Sequence, residues 1–152
     1  MAASNDCALC QSSAKLLLWQ DDFCRVVLLN DADYPAYCRV ELKAHVKEMT
    51  DLTPVDRAKT MNVVFAVETA IREVIQPDKV NLASLGNKTP HVHWHVIPRF
   101  ENDKHFPNSH WGEATQTGNP PPLSLAILSQ LKTKIAACTN ALHTSSSLSV
   151  NV

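Results

Sequence analysis

Apolar residues along the chain change period several times, and each change marks an element. Leu16 to Trp19 and Phe23 to Leu29 are largely apolar, β-branched or aromatic runs that flank Gln20, Asp21 and Asp22. Two such runs joined by a short polar turn predict a hairpin. A turn-rich segment, Asn30 to Pro35, then leads to a third strand near Cys38 to Leu42. Thr53 followed by Pro54 suits an N-cap with proline at the first helical position, and Asp56 lies where a first-turn acid is favourable. From there Met61, Val64, Val67, Ile71 and Val74 recur at three- and four-residue spacing until Pro77. This spacing predicts a long helix with one buried stripe. Val80 to Leu85 and His91 to Pro98 predict two more strands, joined by Gly86, Asn87, Lys88, Thr89 and Pro90. The polar, proline-rich stretch from Glu101 to Pro122 predicts irregular backbone. Leu128, Leu131, Ile135 and Cys138 form a second helical stripe, and Thr144 to Val152 is serine-rich and expected to fray. No internal repeat is visible. Strands in hairpin-like succession with two helices indicate an α+β fold built on an antiparallel sheet.

Composition narrows the function classes. With 152 residues and 45% hydrophobic content, the chain suits one globular domain spanning 1–152, with an ordered core of about 5–140. Lysine and arginine total 14 against 15 acids, and like charges form no run. That balance gives no electrostatic grip on nucleic acid or on an anionic membrane. No apolar stretch approaches the roughly 20 residues of a membrane span, and MAASNDCALC lacks the features of a signal sequence. A cytoplasmic location is therefore expected. The five cysteines are then read as thiols, with Cys24, Cys38 and Cys138 as small apolar residues. Cys7 and Cys10 differ, because their spacing is that of a chelating pair. Only three glycines occur, so Gly86 is expected to mark a backbone geometry that a side chain would obstruct.

The most informative stretch is His91-Val92-His93-Trp94-His95-Val96-Ile97-Pro98-Arg99. Alternation along a strand turns the three histidines to one face and Val92, Trp94 and Val96 to the other. Three explanations compete: histidines merely exposed on a sheet, a catalytic metal held by a histidine pair, and nucleophilic catalysis by an imidazole. A cupin-like metal barrel needs many glycine-marked turns, which this chain lacks. Nucleophilic catalysis accounts best for the pattern. Neutral imidazole, with an ordinary pKa of about 6.5, offers a lone pair near pH 7 without a separate base. It can attack phosphorus and form a labile phosphoramidate, splitting one hard displacement into two easier ones. Flanking histidines can hold the nucleophile's tautomer or donate to phosphate oxygens.

The run HVHWHVI resembles the histidine triad motif, His-φ-His-φ-His-φ-φ with φ apolar, and the continuation PRF is similar to the diadenosine polyphosphate hydrolase-like branch. The resemblance extends from about Cys7 to about Trp111. It implies a histidine triad fold: a five-stranded antiparallel sheet with two main helices, commonly in a homodimer. It also implies a nucleotide substrate, a purine mononucleotide derivative or a dinucleoside polyphosphate, cleaved at a phosphoanhydride or phosphoramidate bond. The nucleophile is then His93, with His95 at the phosphate and His91 completing the triad. In the loop before the triad, Asn87 stands where many members carry glutamine, with Lys88 and Thr89 beside it as further substrate-binding candidates. The ribose-holding position corresponds to Asn30 or Asp31, and Asn81 matches a strand asparagine beside the site in some members. As a plainer alternative, Asn30 and Asp31 serve only as turn residues.

Some members of the family, and the related galactose-1-phosphate uridylyltransferases, bind zinc through a cysteine pair, a histidine after the third strand and the first triad histidine. By that resemblance the ligands of a structural zinc are Cys7, Cys10, His45 and His91, with no cofactor required for catalysis. The alternative is two ordinary thiols near a chain terminus. His105, His110 and His143 fit no pattern and are expected at the surface. A second function class stays open, a nucleotide-binding or zinc-stabilised interaction protein in which catalysis is vestigial.

Overall fold

In the computed structural model, which describes residues 6–11 and 16–147, five strands form one antiparallel sheet backed by two helices. The strands are β1 (Leu16–Gln20), β2 (Cys24–Leu28), β3 (Cys38–Leu42), β4 (Lys79–Ala83) and β5 (His93–Arg99), in the spatial order β1-β2-β3-β5-β4. The helices are α1 (Pro54–Val74) and α2 (Leu125–Ser147). This is the α+β architecture expected from the sequence.

Local chemistry sets most boundaries. The Asp21 carboxylate accepts from the N–H groups of Phe23 (2.8 Å) and Cys24 (2.7 Å), which closes the β1–β2 turn. Thr53 Oγ1 accepts from the Asp56 N–H at 3.1 Å, occupying one of the orphan donors at the start of α1. Ser124 does the same for α2 through the Ile127 N–H. In α1 the expected stripe is buried at Val64, Val67 and Ile71, with Met61 and Val74 packed at its margins. In α2, Leu131 and Ile135 are fully buried. Both helices cover the sheet face that carries Val26, Val40 and Val96. Each of these aliphatic side chains contributes about 1.5–3 kcal/mol by leaving water.

Two boundaries differ from expectation. β4 stops at Ala83, which pairs with His95, and β5 begins at His93. His91 lies in a bend, because its N–H bonds the Thr89 carbonyl (2.8 Å) and the next N–H, of Val92, goes to the Val46 carbonyl (2.7 Å). The chain thus crosses toward the β3–α1 connection before it joins the ladder. Gly86 has φ +83°, a left-handed conformation that penalises any Cβ, although an added Cβ would meet only ordinary contacts, 3.5 Å from the Thr89 carbonyl oxygen. α2 continues through Ser147; the rest of the serine-rich terminus, 148–152, lies outside the described residues.

The segment after β5 contains no helix or strand over 100–124 but is folded back on the sheet. Asn119 N–H bonds the Asn102 carbonyl (2.9 Å), and Gln116 Nε2 donates to the carbonyls of Glu101 (2.8 Å) and Asp103 (2.6 Å). Gly118, at φ +83°, passes so close that a Cβ would lie 3.0 Å from the Lys104 nitrogen. Among the described residues, no helix is long and apolar enough to cross a membrane.

Candidate functional site

The sheet face away from the helices carries the polar positions of the central strands. Strand alternation and register set His93 and His95 of β5 beside Glu41 and Arg39 of β3. Glu41 is completely buried and accepts from Arg25 Nε and Arg39 Nε, each at 2.7 Å. A carboxylate at zero exposure needs such partners, since a buried charge left unpaired is costly. Arg25 also reaches the Leu9 carbonyl (2.7 Å), tying the N-terminal segment to this face.

The three histidines are not equivalent. The rings of His93 and His95 meet edge to face at 4.9 Å, and both residues are buried. His93 Nδ1 lies 2.6 Å from the His91 carbonyl. A carbonyl only accepts, so the proton of neutral His93 resides on Nδ1 and Nε2 keeps its lone pair. Tyr37 Oη lies 2.6 Å from His95 Nδ1. Burial, reinforced by His93 and Arg39, pushes the His95 pKa down to about 4, so this ring is uncharged near neutrality. His91, in contrast, sends its ring the other way and gives the pair only its backbone carbonyl.

That ring belongs to a second cluster. Cys7 Sγ lies 3.4 Å from His91 Nδ1, Cys10 Sγ 3.4 Å from His45 Nδ1 and 3.5 Å from His91 Nδ1. All four donor atoms fall within 4.8 Å of one another. Zn–S bonds of about 2.3 Å and Zn–N bonds of about 2.0–2.1 Å at tetrahedral angles imply S···N edges of about 3.6 Å. The observed spacings fit. His91 Nε2 donates to the Leu42 carbonyl (2.9 Å), which leaves Nδ1 unprotonated toward the sulfurs. The donor set of two thiols and two imidazoles could therefore hold a divalent metal ion, and it joins the N-terminal segment to the bend at His91, two residues before β5.

The remaining sequence candidates lie at the rim. Asn30 is exposed at the end of β2, and Asp31 is half-buried with its carboxylate accepting from the Asp33 N–H (3.0 Å), an Asx turn. Asn81, half-buried on β4, accepts from Arg99 (2.7 Å). Asn87 and Lys88 are exposed and Thr89 is half-buried in the loop leading into His91.

Other site-lining residues gave little local signal. Trp111, half exposed, sets its ring 5.2 Å from that of His95. His110 packs against Tyr34, Tyr37 and Trp111, and His105 bonds Tyr34 Oη through Nδ1 (2.5 Å). Both are half-buried, correcting the expectation that they lie at the surface; the His143 side chain is outside the described set. They are gathered by Arg99, whose Nε and Nη2 clasp Asp103 at 2.6 and 3.0 Å and whose Nη2 reaches the Asn108 carbonyl. Nothing in the loop's composition foretells this. The charges of Arg39 and Glu41, alternating with Val40 and Leu42, were a usable sign that the open face is polar.

The HIT domain family profile matches residues 11–102, more than half of the chain. Among solved structures, a histidine triad protein of Bradyrhizobium japonicum is similar at 28% identity and a TM-score of 0.66, covering 78% of this chain and 89% of that one. A histidine triad (HIT) protein of Sinorhizobium meliloti follows at 26% and 0.64, covering 80% and 87%. A Zn-bound histidine triad family protein of Mycobacterium smegmatis shares the fold at 20% identity and a TM-score of 0.62, covering 90% and 97%. No curated protein matches the chain.

Proposed function

The chain belongs to the HIT domain family, and from that premise we propose that it is a nucleotide hydrolase or transferase working through a nucleotidyl-histidine intermediate on His93. One observation carries the reading: His93 Nδ1 is held by the His91 carbonyl at 2.6 Å, leaving the Nε2 lone pair as a nucleophile. Nε2 attacks the α-phosphorus, an N–P bond forms, and the bond to the leaving group breaks with its electron pair on that group. Water then attacks phosphorus, the N–P bond breaks, and the nucleoside monophosphate departs. His95 stabilises the phosphoryl oxygens as charge develops. Asn30 or Asp31 takes the ribose, while Asn87, Lys88 and Thr89 approach the phosphate from the loop before His91, and Asn81 borders the leaving group.

The substrate class is a nucleoside phosphate joined to a second phosphate or an amine, with dinucleoside polyphosphates the first to assay. The metal group is assigned to a structural zinc on Cys7, Cys10, His45 and His91, supported by the donor spacing. Four protein ligands leave no position for water or substrate, so the metal would brace the bend at His91 rather than act on phosphate. A homodimer is proposed because β4 is an edge strand, and edges require cover.

The test is an alkaline quench during turnover, where a phosphoramidate survives, followed by mass spectrometry of the His93 peptide. A nucleotidyl mass on His93, with retention at a chiral phosphorus, is the expected result. Inversion at phosphorus would indicate direct attack by water and remove the mechanism. Nucleotide binding without turnover would favour a binding protein instead.

A further inference from the structure

We infer that Tyr37 is a positioning residue that fixes His95 as the Nε2–H tautomer, so that His95 faces the substrate phosphate as a hydrogen-bond donor beside the lone pair of His93. The inference rests on the reading above for its catalytic meaning, although its structural content stands alone.

The argument is a proton count. Tyr37 closes the turn before β3, and its ring is buried among Tyr34, Ile97 and Leu29. Its hydroxyl lies 2.6 Å from His95 Nδ1. Either group could donate in principle. If Nδ1 carried the proton, the phenolic hydrogen would need another acceptor, and among the described residues Tyr37 Oη has no hydrogen-bond partner but His95. An orphaned donor inside the protein is costly, so the phenol donates to Nδ1. Burial also raises the Tyr37 pKa well above the ordinary phenol value, which keeps the proton on oxygen. The neutral His95 ring then carries its only proton on Nε2. Among the described residues no protein acceptor engages that Nε2–H.

The adjacent rings are therefore held in opposite tautomers by two buried partners. His93 donates through Nδ1 to a backbone carbonyl and keeps a lone pair on Nε2. His95 accepts at Nδ1 from Tyr37 and keeps a proton on Nε2. A nucleophile and an oxyanion donor thus sit side by side, 4.9 Å between ring centroids, without either ring needing to ionise. Without the phenol, His95 samples both tautomers and turns a lone pair toward the phosphate for part of the time, where it would repel the oxygens.

The experiment combines long-range 15N–1H NMR of the histidine rings with steady-state kinetics. In the wild-type protein near neutral pH, His95 should show a single Nε2–H tautomer. Tyr37→Phe should convert its signals to a tautomer average and lower kcat by about 10- to 100-fold, in the range expected for a weakened oxyanion donor. KM for the nucleotide should change by less than about threefold, since binding contacts persist. Tyr37→His, which can donate from its own ring, should restore a single tautomer and part of kcat. A wild-type His95 protonated on Nδ1 would overturn the inference even if Tyr37→Phe failed to fold, and so would a Tyr37→Phe protein with unchanged tautomer and kcat. A wild-type protein with the Nε2–H tautomer but no turnover of any nucleotide would instead overturn the proposed function and leave the Tyr37 assignment standing.

Discussion

At the scale of single residues, His93 and His95 differ in what their Nδ1 atoms touch, and the proposed mechanism divides the chemistry between them accordingly. His93→Ala should abolish nearly all turnover while nucleotide affinity, measured by calorimetry, stays within a few-fold, because the nucleophile goes and the pocket remains. His95→Ala should cost less, about 3 kcal/mol of transition-state stabilisation, or on the order of a 100-fold loss in kcat. Equal losses in the two proteins would blur the division of roles. The same rings make stability depend on pH. Burial, with help from His93 and Arg39, holds His95 near 4, and burial also lowers His110. A histidine whose folded pKa lies below its unfolded value of about 6.5 stabilises fully above that value and loses its contribution as pH falls toward the folded pKa. Tm should therefore drop as pH is lowered from about 6.5 to about 4, and His95→Gln should flatten part of that slope. A slope identical to wild type would speak against His95 as a source.

Among the elements, β5 and the loop behind it are joined by Arg99 and Asp103, both essentially excluded from solvent. Burial works to raise the Asp103 carboxyl, but the Arg99 hydrogen bonds and the N–H groups of His105 and Phe100 outweigh it and hold the pKa low. Removing one partner strands the other charge, so Asp103→Ala should lose about 3–5 kcal/mol in denaturant titration. It should also reduce activity, since Asp103 and Arg99 anchor the stretch that presents His110 and Trp111. A loss below about 1 kcal/mol would place the pair among weakly coupled surface bridges. These elements differ in how far local sequence specified them. The stripe of α1 and the Thr53-Pro54 start were legible because helical periodicity and capping are local. The start of β5 was not, since the HxHxH alternation continues through His91 while the bond from Val92 to Val46 takes that residue out of the ladder.

In the whole molecule, the Cys7, Cys10, His45 and His91 group gathers the N-terminal segment, the β3–α1 connection and the bend that leads into β5. Protein purified without chelator should contain about one zinc per chain, as one closed four-ligand site requires. Cys7→Ser with Cys10→Ser should lower Tm more than it lowers kcat of the folded fraction. If brief chelation stopped turnover without unfolding, the metal would have to act on substrate. The sheet edge at β4 bears on assembly, and sedimentation equilibrium should give twice the chain mass at micromolar concentration; a monomer would remove the dimer proposal.

Local patterns along the chain were enough for the α+β class, the two helical stripes, the five strands to within about two residues and the likeness of HVHWHVI to a histidine triad. It could do so because periodicity, capping and strand alternation act over a few neighbouring residues. The cysteine spacing pointed to a metal pair, but only the tertiary structure brought His45 and His91 to it, across 35 and 84 positions of chain. Folding likewise turns His91 away from His93 and His95, brings Tyr37 to His95 across 58 positions, and pins a loop with no secondary structure beside them through Arg99 and Asp103. The tautomers follow from those long-range bonds. Which nitrogen of an imidazole carries the proton depends on the partner that folding supplies, and no local pattern in the chain encodes it.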